Sequence, residues 1–146
     1  LAHPRHHRLR GLLRMSHQLP TVMYHATYPT HADQIRQEGL RAGTYFANTP
    51  GYAVAFLAMR GGVEIVGTKV VEFDGIPTEV PDTIVHTKVV VFAVMPDRLP
   101  IPPVPSFDHV AGLYPDDLEC YVSQVALPAI SVTDYDIYDI SQYAAK

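Results

Sequence analysis

Three side chains far apart in the chain could do chemistry together: the imidazole of His25, the phenol of Tyr45 and the carboxylate of Glu119. An imidazole hydrogen-bonds through both ring nitrogens, so it can hold a ligand and a second partner at once. An aromatic face attracts a flat cationic ring. A carboxylate fixed beside a reacting centre stabilises developing positive charge or accepts a proton. Each also has an ordinary reading. His25 can be a satisfied strand histidine, Tyr45 and Phe56 can be core aromatics, and Glu119 can be a solvated strand carboxylate with Asp116 or Asp117 carrying any function.

Other chemistries find little support. Cys120 is the chain's one cysteine, which suits a reducing compartment, and no CxxC or cysteine-histidine spacing marks a zinc site. It lies in the run Leu118-Glu119-Cys120-Tyr121-Val122 and reads as a packed thiol. His3, His6, His7 and His17 lack regular ligand spacing, so no metal is expected. Gly61-Gly62 is too short to cradle phosphate, and no nucleophile elbow occurs. His31, His86, His109 and the Tyr135–Asp139 stretch read as structural or surface residues.

The elements that position these groups follow from local pattern. Val22 to Thr27 mixes apolar and β-prone residues and stops before Pro29, a strand that delivers His25. Thr30, with Asp33 three positions on, predicts a capped helix of two to three turns with Ala32 and Ile35 inward, closed by Gly39. Gly43 to Ala47 reads as a short strand with Tyr45 at its end, followed by an Asn48–Gly51 turn. Tyr52, Ala55, Phe56 and Met59 recur at helical spacing, predicting a helix that ends at Gly61-Gly62 with Phe56 inward. Beyond it, 64–73, 83–95, 118–125 and 130–140 are Val-, Ile-, Thr- and Tyr-rich and read as four strands. Six prolines between Pro96 and Asp117 predict an irregular loop. A helix-bearing front half followed by a strand-rich back half is an α+β pattern.

With 146 residues, 47% of them hydrophobic and 18% charged, the chain suits one folding unit, placed at 21–146. No apolar run is long enough to span a bilayer, so no membrane partner is expected. The net charge of −4 hides an asymmetry: Arg5, Arg8, Arg10 and Arg14 precede Thr21 with no acid among them, leaving 7 basic against 15 acidic residues in the body. That balance of −8 argues against a broad nucleic-acid footprint. Residues 1–20 read as a leader of vector or upstream origin, lacking both order of their own and the apolar centre of a secretory signal.

In order and context, Tyr24-His25-Ala26-Thr27, the Glu38-Gly39-Leu40 helix end, Gly43-Thr44-Tyr45-Phe46-Ala47 and the Ala-rich helix bearing Phe56 resemble the front half of ADP-ribosyltransferases of the diphtheria-toxin and poly(ADP-ribose)-polymerase-like branch. Leu118 to Val122 looks like the strand carrying that branch's catalytic acid, so the likeness runs from Met23 to about Val132. It implies a split two-sheet α+β core with an NAD-binding cleft between the sheets, bordered by the Pro96–Asp117 loop. His25, Tyr45 and Glu119 match the branch's catalytic histidine, tyrosine and glutamate; His25, Ala26, Thr27, Tyr45 and Phe56 would hold NAD. Ala26 stands where the family usually has glycine, Phe56 where it often has tyrosine, and Ala53 where some relatives have serine. The other branch's first-strand arginine is missing, and Asp117-Leu118-Glu119 stands where it has a Glu-x-Glu pair.

The chemistry the resemblance implies is cleavage of the bond between nicotinamide and ribose, whose transition state resembles an oxocarbenium cation. Glu119 would stabilise that cation and accept the acceptor's proton. Tyr45 and Phe56 would sandwich the nicotinamide, and His25 would orient the sugar. The implied activity is mono-ADP-ribosylation of a macromolecular acceptor, protein or nucleic acid, by a toxin- or effector-like enzyme acting in the cytoplasm of producer or target cell, with an antitoxin or immunity protein as a further partner. Three alternatives stand beside it: an NAD glycohydrolase, an RNA 2′-phosphotransferase-like enzyme, for which Arg36, Arg41, Arg60 and Arg98 are few arginines, and a non-catalytic NAD or ADP-ribose binding module.

Overall fold

The computed structural model describes residues 19–106 and 119–141. It is an α+β fold with two helices and two antiparallel sheets. The strands are β1 (Met23–Thr27), β2 (Tyr45–Ala47), β3 (Val63–Phe73), β4 (Ile76–Val85), β5 (Lys88–Val94), β6 (Val104–Ser106), β7 (Cys120–Val122) and β8 (Thr133–Asp139); the helices are α1 (Pro29–Glu38) and α2 (Pro50–Ala58). Six strands form one sheet in the order β6-β7-β2-β1-β5-β8, and β3 and β4 form a separate hairpin. The leader to Gln18, and with it the arginines at 5, 8, 10 and 14, lies outside the described residues, as do His109, Asp116 and Asp117.

Lys88 to Val94 is apolar almost throughout because β5 is covered on both faces. Val90, Phe92 and Val94 join Met23, Phe46, Leu40 and Tyr121 under Ala32 and Ile35 of α1. Val89 and Val91 join Tyr28 and Val54 on the α2 side. The period of two along β5 thus fixes one helix to each face. Cys120 is buried with Ala47, Tyr52 and Ala53, a packed thiol as its surroundings suggested. The sheet loosens in its middle: β1 and β5 share five register partners, whereas β1 and β2 share one pair, Tyr24 with Ala47. The six strands remain one sheet, and this pair is its least paired junction.

Several boundaries differ from the sequence reading, for local reasons. Helix α1 starts at Pro29, with Tyr28 as an extended N-cap that supplies no side-chain bond. Proline at the first helical position needs no N–H partner, so Thr30 falls inside the helix. Its hydroxyl donates instead to Glu64 Oε1 (2.8 Å). Gly39 does close the helix, at φ 81°, and a Cβ there would lie 2.0 Å from the Leu127 carbonyl. Helix α2 begins within the expected turn: Thr49 caps it by accepting from the Tyr52 N–H (3.2 Å), and Pro50 is its first residue. Met59 is left outside it and half-exposed. Tyr45 opens β2 and does not close it.

The expected 83–95 strand is two strands, broken at His86 and Thr87, and residues 76–82, not read as a strand, form most of β4. Proline within the loop reading is also overruled at one place: Val104–Ser106 pairs with β7 at the sheet's edge, where Pro105 is tolerated. Glu64, at the base of the hairpin, ties it to the body. Its carboxylate accepts from His31 Nε2 (2.6 Å) and His86 Nε2 (2.7 Å) as well as from Thr30, and His86 stacks on Tyr28 at 4.5 Å. These bonds hold Glu64's carboxyl below the ordinary glutamate range although burial opposes them.

Candidate functional site

The site begins with strand alternation in β1. Met23 enters the α1-side core, while Tyr24 and Ala26 pack towards α2. His25 therefore lies with Met23, and its ring meets Phe46 edge-on, centroids 6.0 Å apart. At this junction of β1 and β2, the imidazole spans the seam: Nδ1 lies 2.8 Å from the Tyr45 carbonyl oxygen. A carbonyl can only accept, so the proton is on Nδ1 and the neutral ring keeps a lone pair on Nε2. Burial lowers the His25 pKa from its ordinary value, partly opposed by the bond to Tyr45, and the ring is neutral at pH 7.

Beside this seam, between β1, β2 and α2, is a hollow of about 280 Å³. Its size is just below that of small-molecule sites, which run from about 300 to 1,000 Å³. Four of the residues expected to hold a dinucleotide line it: His25, Ala26, Tyr45 and Phe56. Tyr45 is 39% exposed at its edge, and Phe56 is held from behind by the Tyr52 ring, centroids 4.9 Å apart. The Ala53 methyl contributes to the wall, so no hydroxyl is offered there. Helix α2 supplies Phe56 because Thr49 and Pro50 fix its start, and its buried Tyr52–Ala55 turn then sets which residues face the hollow.

Two of the expected residues are elsewhere. Thr27 is buried, 8% exposed, and does not line the hollow. Glu119 adjoins β7, two strands from β1 and hence about 10 Å across the sheet from His25's strand, and is absent from the lining. It is fixed by main-chain bonds: Asn48 N–H donates to its carbonyl (3.0 Å), and its own N–H donates to Asn48 Oδ1 (3.0 Å). The Tyr121 hydroxyl donates to its carboxylate, which puts Glu119 on the sheet face that also carries Tyr121, Phe46 and His25. The strands of the three groups are consecutive neighbours, β1-β2-β7, but the carboxylate does not share the hollow with the aromatics.

Arg60, counted only as one arginine among few in the sequence, lines the hollow. It follows Phe56 by four residues, a helical spacing that could have flagged it. Thr44 and Tyr24 also line the hollow, and only their proximity to Tyr45 and His25 in sequence hinted at this. Among the described residues, no group of three or more His, Cys, Asp or Glu is placed to hold a metal ion, and no helix is long and apolar enough to cross a membrane. Compared with known proteins, the chain matches no family model, no curated protein and no solved structure.

Proposed function

We propose that the hollow binds the nicotinamide end of NAD and that the protein is a mono-ADP-ribosyltransferase, transferring ADP-ribose to a macromolecular acceptor with release of nicotinamide. The observation that carries this reading is convergence: His25, Ala26, Tyr45 and Phe56, spread over three elements, line one hollow. Strand pairing and the packing of α2 on β1 bring these residues together, and it is the open space they leave between them, bordered by two aromatic rings, that supports a ligand. The hollow's chemistry also suits a flat cationic ring attached to a sugar and a pyrophosphate. Tyr45 and Phe56 offer aromatic faces, Nε2 of His25 is an acceptor for a sugar hydroxyl, and the Arg60 guanidinium can face phosphate.

In this reading Tyr45 and Phe56 hold the leaving ring by their π-faces. His25, locked as the Nδ1–H tautomer by the Tyr45 carbonyl, orients the ribose and moves no proton. Glu119, on the same sheet face as His25, stabilises positive charge developing on the sugar, and the Tyr121 hydroxyl bonded to it sets its rotamer. The Ala26 methyl stands at the wall where the carboxamide approaches.

One observation favours a second reading, a non-catalytic NAD or ADP-ribose binding module: the Glu119 carboxylate is outside the hollow's lining and bonded by Tyr121. Incubation with labelled NAD and cell lysate separates the two. The enzyme releases nicotinamide and labels a macromolecule, and Glu119→Gln lowers both by about 100-fold or more. Nicotinamide release without a labelled macromolecule identifies a glycohydrolase. A melting temperature raised by NAD with no nicotinamide released by either protein identifies the binding module, and no shift and no release refutes both.

A further inference from the structure

The β3-β4 hairpin is the least explained part of the fold. It runs from Val63 to Val85, pairs with no other described strand, and leaves Ile65, Val70, Phe73 and Ile76 between 59% and 68% exposed. Among the described residues both its edges are bare, and such a two-stranded sheet is marginal and invites pairing with another chain. Its two edges are not equivalent. The turn Asp74-Gly75 has φ of 53° and 78°, the two positive values of a type I′ hairpin, so Phe73 and Ile76 form a hydrogen-bonded pair. Alternation from there turns the main-chain groups of Pro77, Glu79 and Pro81 outward on β4, and those of Thr68, Val70 and Glu72 outward on β3. Two of the three outward positions on β4 are prolines, which have no N–H to offer. The β4 edge is closed to a further strand, while the β3 edge keeps every donor and acceptor.

The faces add a second selection. On one face lie Phe73, Val71, Ile76 and Val80, together with the Lys69–Asp82 pair at 3.9 Å. On the other, Glu72 and Glu79 stand diagonally about Val70. From Ile65 to Val85 the hairpin carries four acids against one lysine. We propose that the outer edge of β3 is a docking site for an extended segment of a partner protein. That segment adds as a third strand, placing apolar side chains beside Val71 and Phe73 and Lys or Arg beside Val70 and Glu72. Main-chain bonds along β3 supply affinity, and the two unlike faces supply register and polarity of the sequence taken. The site is remote in chemistry from the hollow and stands whether or not the protein acts on NAD.

The test uses the full chain and eight-residue peptides of alternating Lys and Val, with two controls: alternating Glu and Val, and the Lys-Val peptide N-methylated at every second residue. Anisotropy of the labelled Lys-Val peptide should rise with protein, weaken as salt is raised, and be at least tenfold weaker for Val70→Pro, which removes an outward N–H from β3. The Glu-Val and N-methylated peptides should not bind. Because Val70→Pro can disturb the hairpin itself, Glu72→Lys/Glu79→Lys is measured beside it and should also lose at least tenfold. Failure of the Lys-Val peptide to bind overturns the proposal, as does equal binding of the N-methylated peptide, which would mean charge attraction without strand pairing. A dimer in sedimentation that Val70→Pro dissolves also overturns it, since the occupant is then a second copy.

Discussion

The bond from His25 Nδ1 to the Tyr45 carbonyl separates two jobs of one ring, and two substitutions take them apart. An asparagine amide nitrogen reaches the place of Nδ1, and a glutamine amide oxygen reaches the place of Nε2, where it accepts as the imidazole does. His25→Asn therefore keeps the bond across the seam and removes the lone pair proposed to meet the ribose. His25→Gln does the reverse. Because β1 and β2 share a single register pair, little else bridges the seam at this point. Removing the imidazole's bond to the Tyr45 carbonyl should cost about 0.5–1.5 kcal/mol, a fall in melting temperature of about 2–5 °C for a domain of this size. His25→Asn should melt within about 2 °C of the wild type. Its NAD affinity should fall about 2- to 12-fold, the loss of one neutral hydrogen bond. The assay is thermal melting with and without NAD, paired with calorimetric titration. Equal melting temperatures for Asn and Gln variants would refute the seam role of Nδ1, and unchanged NAD affinity in His25→Asn would refute the ligand role of Nε2.

Acid should weaken the fold in two steps. The folded pKa of His25 lies below its unfolded value, near 6.5, so the unfolded chain takes up the proton first; stability is intact above about pH 6.5 and falls as pH drops towards the folded value. Glu64 is likewise lowered from 4.5, so its contribution is present above that pH and is lost as pH falls through the folded value. Melting curves from pH 8 to pH 3 should show both, and His25→Asn should remove the first alone. Gly39→Ala should destabilise by about 3 kcal/mol or more, since a left-handed φ and a 2.0 Å contact with a main-chain oxygen act together; a loss under 1 kcal/mol in urea titration would contradict this. Phe56→Ala should weaken NAD binding about 2- to 30-fold and also cost about 1–3 kcal/mol of stability, because its ring both borders the hollow and packs on Tyr52.

Much of the fold was legible because period and punctuation are local. Met23–Thr27, the apolar run of β5 and the Gly39 stop of α1 each carry their signal within a few residues. The alternation of Val89 to Val94 assigns each side chain to a face before any partner is known. Residue types also nominated His25, Tyr45 and Phe56. What local signals could not supply was the pairing. Residues 76–82 contain two prolines and read as no strand, yet they pair because the Asp74-Gly75 turn folds them onto β3 and their prolines face outward. Tertiary placement buried Thr27 and left the Glu119 carboxylate with Tyr121, and it turned the spacing of Arg60 from Phe56 into a shared hollow. A sequence fixes which faces a residue can take along its own element; which elements become neighbours, and how far apart the seam between two strands stands, depends on contacts between residues distant in the chain.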